Sequence, residues 1–449
     1  MSQASGRVRR WLIVPLVVGA IVLILGALHF APAATPLAAQ SAATPGSCAP
    51  YDSVCSYCQN HPTSSICPEA PTAAAATTAA PAATGAAPTA HPQASATAAA
   101  TAAQPSASAA PAAFTVVASG LNNPRGLKFG PDGNLYVAEA GIGGGTNSTV
   151  GKCTQVVPPV GPYTGSDTGS RISMITPAGV RTTVVDNIPS AQDALQPNPD
   201  VQGVADVAFI GDTLYGLLAG AGCSHGVPNT PNGIIKANAD GTWTSIANLS
   251  AFYQANPVAK PSASDFEPDG DPYSLIADMG NLYAVNANQG ELEKITPDGT
   301  ISRVVDLSAT EGHLVPTAIA LGPDGDFYVG NLFHFPVVNG DAEILKITPD
   351  GTVSHFATGL TAVTGLAFGG NGQLYALEFS AAPPAGSPAP IAPGTGRVVS
   401  VSASGGITPI AGGLTFPTAM TVGPDGALYV SNNGVGAPGS GQIVRVPLP

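Results

Sequence analysis

The stretch Gly120–Ala140, GLNNPRGLKFGPDGNLYVAEA, decides the fold. It reads as a short apolar strand (LKF), a tight turn (GPDG) and a second strand (LYVAE). The chain then repeats it as VADVAFIGDTLYGLLAG (204–220), YSLIADMGNLYAVNANQG (273–290) and PTAIALGPDGDFYVGNL (316–332). VTGLAFGGNGQLYALEFS (363–380) and PTAMTVGPDGALYVSNN (417–433) complete the series. A second strand pair follows each copy but the last, as in RISMITPAGVRTTVV (171–185), GIIKANADGTWTSIA (233–247) and ELEKITPDGTISRVV (291–305). EILKITPDGTVSHFA (343–357) and RVVSVSASGGITPIA (397–411) are the other two. Four short strands per unit, at a period of roughly 50 residues, are the signature of a β-propeller blade. The anchor tyrosines Tyr136, Tyr215, Tyr283, Tyr328, Tyr375 and Tyr429 count six blades.

The sixth blade lacks an outer strand, because the chain stops soon after QIVRVP (442–447). The missing piece is at the start: FTVVASGL (114–121) matches SHFATGL (354–360) and TPIAGGL (408–414) without a gap. The first strand is therefore expected to close the last blade, leaving the ring no open seam.

Composition agrees with short strands and turns: 54 Gly and 44 Pro in 449 residues, with only 10% charged. A net charge of −13 argues against nucleic acid or anionic lipid as partners, although many of the aspartates belong to Asp-Gly turns. Helix-period patterning is absent from the propeller region. Ahead of it, Arg7, Arg9 and Arg10 in residues 1–10 precede WLIVPLVVGAIVLILGALHF (11–30), long enough to span a bilayer with the N-terminus in the cytoplasm. A single-pass anchor at the cell membrane is the expectation, with secretion after signal cleavage near Ala31-Pro32-Ala33 as the alternative. Residues 31–47 read as a linker and 68–113 as an Ala/Thr/Pro-rich stalk that cannot bury a core. Between them, 48–67 carries Cys48, Cys55, Cys58 and Cys67. Outside the membrane these are expected to form disulfides, a zinc site with His61 being the rival.

Propeller geometry assigns the loops to faces. The turns between strands 1 and 2, and between 3 and 4, are minimal and share one face. The long insertions 140–170, 187–203, 219–232, 249–271, 307–315, 331–341, 380–396 and 432–441 all fall on the other. Ligands and partners are expected at this elaborated mouth. Cys153 and Cys223 lie in strand 2–3 insertions of adjacent blades on that face, and a Cys153–Cys223 disulfide is predicted. Ten residues before five of the anchor tyrosines stand Gly126, Ala205, Ala318, Gly365 and Ala419, with Ser274 at the matching place in blade 3, so the strands nearest the axis can crowd.

Three residues after the tyrosines come Glu139, Leu218, Asn286, Asn331, Glu378 and Asn432. Glu139, Asn286, Asn331, Glu378 and Asn432 offer oxygen ligands suited to a hard cation such as calcium. The competing reading is that each hydrogen-bonds the backbone where its strand ends. The segment DFEPDGD adds Asp265, Glu267, Asp269 and Asp271 at the same mouth, as a cation site, a basic-partner site or a solvated loop. His225, His313 and His334 lie in mouth loops and read as exposed. No Ser/His/Asp spacing, phosphate loop or dinucleotide fingerprint is recognisable.

The propeller region resembles the ScyD/ScyE family, six-bladed propellers related to NHL repeats. The resemblance covers about 114–449 and rests on GLNNPRGLKFGPDGNLYVAEAG (120–141), NPDVQGVADVAF (198–209) and CSHGVPNTPNGIIKANADGTW (223–243). DGDPYSLIADMGNLYAVNANQG (269–290) and GGLTFPTAMTVGPDGALYVSNNG (412–434) extend it. It implies export and a propeller, and supplies no catalytic residues. Six-bladed lactonases share this architecture more distantly and bind a divalent cation near the axis, but a shared propeller transfers no activity. The sequence therefore points to a membrane-anchored, extracytoplasmic binding or scaffold module whose partner is a protein, glycan or small molecule. The alternative is a calcium-dependent, lactonase-like hydrolase working at the channel mouth.

Overall fold

The computed structural model describes residues 113–195, 199–333, 336–381, 386–389 and 391–449. The predicted span 11–30, the cysteine module 48–67 and nearly all of the stalk lie outside these residues. Among the described residues no helix is long and apolar enough to cross a membrane.

Local chemistry explains why each unit begins as it does. The last glycine of the Gly-Pro-Asp-Gly turns holds φ positive (Gly133 +77°, Gly325 +83°, Gly426 +77°), a region costing other L-residues about 1–2 kcal/mol. The turn aspartate accepts the anchor hydroxyl, with Tyr136–Asp132 at 3.0 Å, Tyr328–Asp324 at 2.9 Å and Tyr429–Asp425 at 3.3 Å. The first glycine makes room for the ring: a Cβ on Gly130, Gly322 or Gly423 would stand 2.6, 2.5 or 2.4 Å from the tyrosine edge. Both glycines, the aspartate and the tyrosine thus have a steric or hydrogen-bonding reason.

The strands assemble into six antiparallel sheets, one per blade. Blade 1 contains Pro124–Phe129, Leu135–Glu139, Thr164–Ile175 and Arg181–Gln192; blade 2 contains Val204–Ile210, Thr213–Leu218, Gly233–Ala237 and Trp243–Asn248. Blade 3 contains Pro272–Asp278, Asn281–Asn286, Glu291–Ile295 and Ile301–Asp306. Blades 4 and 5 follow the same plan from Pro316 to Leu414. Blade 6 combines Ala419–Val422, Leu428–Asn432 and Gly441–Val446 with the N-terminal strand Thr115–Leu121, paired in the register Thr115↔Arg445 to Leu121↔Gly441. The predicted ring closure is the observed one.

Neighbouring blades key together through the turns between strands 3 and 4. A Cβ on Gly299 would stand 2.0 Å from the Ile246 carbonyl of the preceding blade, and one on Gly351 would stand 2.6 Å from that of Val304. Gly179 of blade 1 makes the same approach, 2.6 Å, to Val117 in the N-terminal strand. The closing strand is therefore gripped from both sides. Apolar residues from facing blades fill the gaps between sheets, as where Val204, Val207 and Leu218 meet Ile172 and Val185.

The insertions are more ordered than loops. Strands 3 and 4 of blade 1 each run 12 residues, and Val201–Gln202 adds a fifth strand against Ala191 and Gln192. Tyr163, Val156 and Ala191 form a satellite core beneath this extension. After blade 2 the chain forms a seven-residue helix, Leu249–Ala255, which sequence periodicity did not reveal. Asn248 caps it by accepting from the Ala251 N–H at 2.9 Å, while Leu249 and Tyr253 face the core. Its helical pattern is two apolar residues one turn apart, too short to register.

The inner strands crowd as expected. Gly126 has no strained φ, yet a Cβ there would lie 1.8 Å from Asp206 Oδ1 and 2.6 Å from its Cα. Asp206 is fixed in the channel wall, accepting from the Val207 N–H (2.8 Å), the Leu275 N–H (2.8 Å) and Ser274 Oγ (3.1 Å). Gly126→Ala should cost about 1–3 kcal/mol through this clash, whereas Gly412→Ala, which faces open space, should be neutral. Thermal or denaturant melts check this, and equal melting of the two variants would contradict it.

Candidate functional site

The inner strands divide the ring into two halves. In blades 4, 5 and 6 the residue before the small inner residue is a threonine that bonds the next blade. Thr317 donates to the Val363 carbonyl, Thr364 to that of Pro417 at 2.9 Å, and Thr418 to that of Pro124 at 2.6 Å. In blades 1, 2 and 3 the same position carries Arg125, Val204 and Tyr273. The structural repeat is broken on one side of the mouth only, where polar side chains gather instead.

Arg125 is buried, and its Nη2 bonds Asp200 Oδ1 at 2.5 Å and the Val201 carbonyl at 2.7 Å. Burial works to lower its pKa, but Asp200 and Tyr273 outweigh it and hold the guanidinium charged. Tyr273 donates across the mouth to the Thr418 carbonyl at 3.3 Å, and burial pushes its phenol up to about 12. Asp193 accepts from the N–H groups of Leu195 and Asp200, both at 3.1 Å. Burial, with Asp200 nearby, pushes it up to about 7. Asp271 is pushed well above the carboxylate range by burial, then by Glu267 and Asp200.

Behind this rim lies a sealed polar network. His225 Nε2 and Glu267 Oε2 are 3.0 Å apart, and Tyr163 packs edge-on against the imidazole at 4.7 Å. Burial lowers the His225 pKa and raises that of Glu267, so the pair is a hydrogen bond between neutral groups rather than a salt bridge. Ser224 Oγ lies 3.4 Å from His225 Nδ1, which superficially completes a Ser–His–Glu triad. Proton bookkeeping rules this out. Ser224 donates to Asp269 Oδ2 at 2.6 Å, so its oxygen can only accept from Nδ1–H. Nε2 then carries the lone pair and takes the Glu267 proton, and the imidazole is no base for Ser224. Ser224 and His225 are also 0% exposed, beyond the reach of substrate. The network fastens 223–226 to 265–271.

In front of it opens a pocket of about 560 Å³ on the elaborated face, within the range of small-molecule sites. Tyr253, Val258, Phe266 and Pro268 form apolar walls, and Gln254, Gln289 and Asp269 supply polar groups. Cys153 and Cys223 line it too, joined as predicted in a disulfide with Cα atoms 6.3 Å apart. The bridge ties the blade 1 insertion to the Ser224–His225 segment. The covalent link and the polar network hold the same corner of the mouth.

The five residues proposed as cation ligands sit at the end of strand 2 in blades 1, 3, 4, 5 and 6, each bonded to its own blade or to the linker leading into it. Glu139 accepts the Asn122 N–H at 2.7 Å and both nitrogens of a fork from Arg171 at 2.9 Å. Glu378 accepts the Thr361 N–H at 2.7 Å and pairs with Arg397. Asn286 and Asn432 accept the N–H of Asp271 and Thr415 at 3.1 and 2.8 Å, and Asn331 that of Glu343 at 3.4 Å. Glu139, Asn286, Glu378 and Asn432 clasp an incoming loop to the strand end, Asn331 bonds the neighbouring strand, and a cation at either glutamate would compete with a fixed guanidinium. Asp265 pairs with His313 at 2.9 Å; His334 and Cys48, Cys55, Cys58 and Cys67 lie outside the described residues. Among the described residues, Glu311, Glu343 and His355 form a cluster with ligand atoms within 4.8 Å of one another. It sits on the outer surface, with His355 exposed.

Sequence reasoning missed Arg125, Asp193, Asp200 and Gln202, and took the buried His225 for an exposed loop residue. It also missed Glu293, a fully buried acid with both oxygens unpartnered. Its signal was present: ELEKI places glutamate where EILKI in the next blade places Leu345. Burial and Glu291 push Glu293 well above the carboxylate range.

The fold defines a closed six-bladed β-propeller with its polar site at one half of the mouth. Neither the family profiles nor the curated proteins compared with the chain match it. Solved structures do. It is similar to a gluconolactonase from Xanthomonas campestris at 13% identity and TM-score 0.44, covering 75% of this chain and 90% of that one. A streptogramin B lyase structure matches at 16% identity and TM-score 0.42, over 75% and 97%. A glucose dehydrogenase matches at 14% and 0.44, over 75% and 100%. At such identities the similarity extends to the fold alone, and blade topology carries the assignment by itself.

The neutral Glu267–His225 pair makes a pH prediction. An unfolded glutamate releases its proton near pH 4.3, while folded Glu267, its pKa raised by burial, keeps it, so the contribution of Glu267 to stability falls as pH rises above that point. Glu267→Gln donates an N–H to the same nitrogen and does not titrate. Its stability relative to wild type should grow with pH by up to about 1.4 kcal/mol per unit. A difference independent of pH, measured by denaturant titration, would contradict the neutral pair.

Proposed function

We propose that this chain is an extracytoplasmic binding module of the ScyD/ScyE kind, anchored through its N-terminal segment, which takes its ligand at the elaborated mouth. The observation that carries this reading is the pocket of about 560 Å³ beneath the insertions of blades 1–3, with the Cys153–Cys223 bridge in its wall. A disulfide at the lip suits an oxidising compartment, and a rigid, apolar-walled, partly polar cavity suits selective binding. Catalysis finds less support. Ser224 is sealed, and Glu139 and Glu378 are held by arginines.

The ligand class that fits best has an apolar body with a few hydrogen-bonding groups, as in a glycan edge, an aromatic metabolite or a peptide side chain. Thermal-shift screening of the full-length chain against glycans, lactones and envelope proteins tests the reading. Hits should be lost on reduction of the disulfide and on Gln254→Trp, an exposed position at the pocket rim. Hits insensitive to both changes would move binding elsewhere. Turnover of a lactone that is abolished by chelation and by Glu139→Gln or Glu378→Gln would establish the hydrolase instead.

A further inference from the structure

The pocket of about 560 Å³ is chemically one-sided. Of the residues lining it, Asp269 alone carries a formal charge, and none is lysine, arginine or histidine. Lys152 and Lys260 adjoin lining residues in the chain, but both are exposed and neither lines the cavity; solvent and salt screen them. The surrounding field has the same sign. Tyr253, in the wall, has its phenol pushed well up by burial, then by Glu293, Glu291 and Asp271. In the network behind, Glu267 is raised by burial, then by Asp265, Asp200, Asp193 and Asp269.

The polar groups of the wall are unevenly used. Gln289 is 5% exposed, and its Nε2 donates to the Glu267 carbonyl at 3.4 Å, which fixes the orientation of the amide. Its Oε1 accepts nothing from the described residues and, unlike the sealed Gln202 Oε1, keeps accessible surface. An acceptor so placed takes its donor from whatever fills the cavity. Asp269 turns Oδ2 to the Ser224 N–H and hydroxyl at 2.8 and 2.6 Å. Oδ1 keeps one long bond, 3.4 Å, from Gln254. Gln254 is exposed and can turn into solvent, so a ligand N–H can take its place.

We propose that the pocket takes a flat organic monocation of the amidinium or guanidinium class, its N–H groups directed to Gln289 Oε1 and Asp269 Oδ1 and its apolar body lying against Phe266, Val258 and Pro268. Such a group donates and does not accept, which matches a wall whose open positions are acceptors. A delocalised planar cation is also less strongly hydrated than a compact ammonium, so it enters an apolar-walled cavity at lower cost. A carboxylate or phosphate would be desolvated against an acidic field with no base in the wall to pair with. A calcium ion would want six to eight oxygens, more than one carboxylate and one amide provide.

This inference rests on the reading of the pocket as the ligand site and adds the charge and hydrogen-bonding character of the ligand. Its test uses the full-length chain with benzamidine hydrochloride, benzamide, sodium benzoate and phenyltrimethylammonium chloride, followed by thermal melting and calorimetry at constant ionic strength. Benzamidine should bind saturably and about tenfold or more tightly than benzamide, which lacks the charge, or phenyltrimethylammonium, which lacks the N–H groups. Benzoate should not bind. Gln254→Trp, at the exposed rim, should abolish benzamidine binding, and Gln289→Met should weaken it. Benzamidine binding no tighter than the other probes, binding untouched by Gln254→Trp, or no binding of benzamidine would overturn the inference. The comparison among probes on the wild type needs no variant to fold. A chain that takes glycans, lactones or envelope proteins at this pocket yet ignores benzamidine removes this inference and leaves the mouth reading intact.

Discussion

The structure depends on the pairing of the first strand with the last. Thr115–Leu121 lies against Gly441–Val446 through five register pairs, and Gly179 of blade 1 closes on its other side. Sheets in a propeller bury their faces only against neighbours, so a ring with one blade short of a strand would expose both a sheet edge and the flank of blade 1. Joining the ends of the chain within one sheet makes the ring a single cooperative object. Everything at the mouth inherits its rigidity from that closure, because each inner strand is located by the two beside it.

Within the ring, repetition and its failures have different meanings. Clasps that recur, such as the tyrosine on the turn aspartate or the Glu/Asn side chain on an incoming N–H, hold blades and loops in place. They read as chemistry in a sequence because carboxylates and amides are also metal ligands, and their partners identify them as structural. Departures from the repeat carry more information. Arg125 and Tyr273 stand where threonines lace the other half of the ring, and Glu293 stands where the next blade has leucine. These departures cluster in blades 1–3, beneath the longest insertions and the disulfide.

Much of this was legible in the sequence. The GPDG turns, with their tyrosine four residues after the aspartate, are local and steric, so blade number and register could be read directly. The ring closure followed from one ungapped match, and the disulfide from two cysteines whose loops share a face. What resisted was burial. His225 and Glu267 are 42 residues apart, and nothing local says that they meet in a dry interior where neither is charged. Likewise Asp193 and Asp200 belong to an apparent loop that becomes an extension of blade 1. The threonine pattern was present in the sequence, one place before the small inner residues, but its meaning needed the hydrogen bonds that the hydroxyls make.

These features converge on one sector of one face. The apolar pocket, the buried Arg125–Asp200 pair and the sealed His225–Glu267 network all lie where blades 1, 2 and 3 present their insertions; the opposite face offers tight turns. The most direct measurement is crystallography of the protein soaked with a chemically mixed set of small fragments, which lets the surface select its own ligand chemistry. Bound fragments should concentrate beside Phe266, Val258 and the Cys153–Cys223 bridge. Fragments collecting instead on the trimmed face, or over blades 4–6, would contradict the assignment of this sector as the working surface.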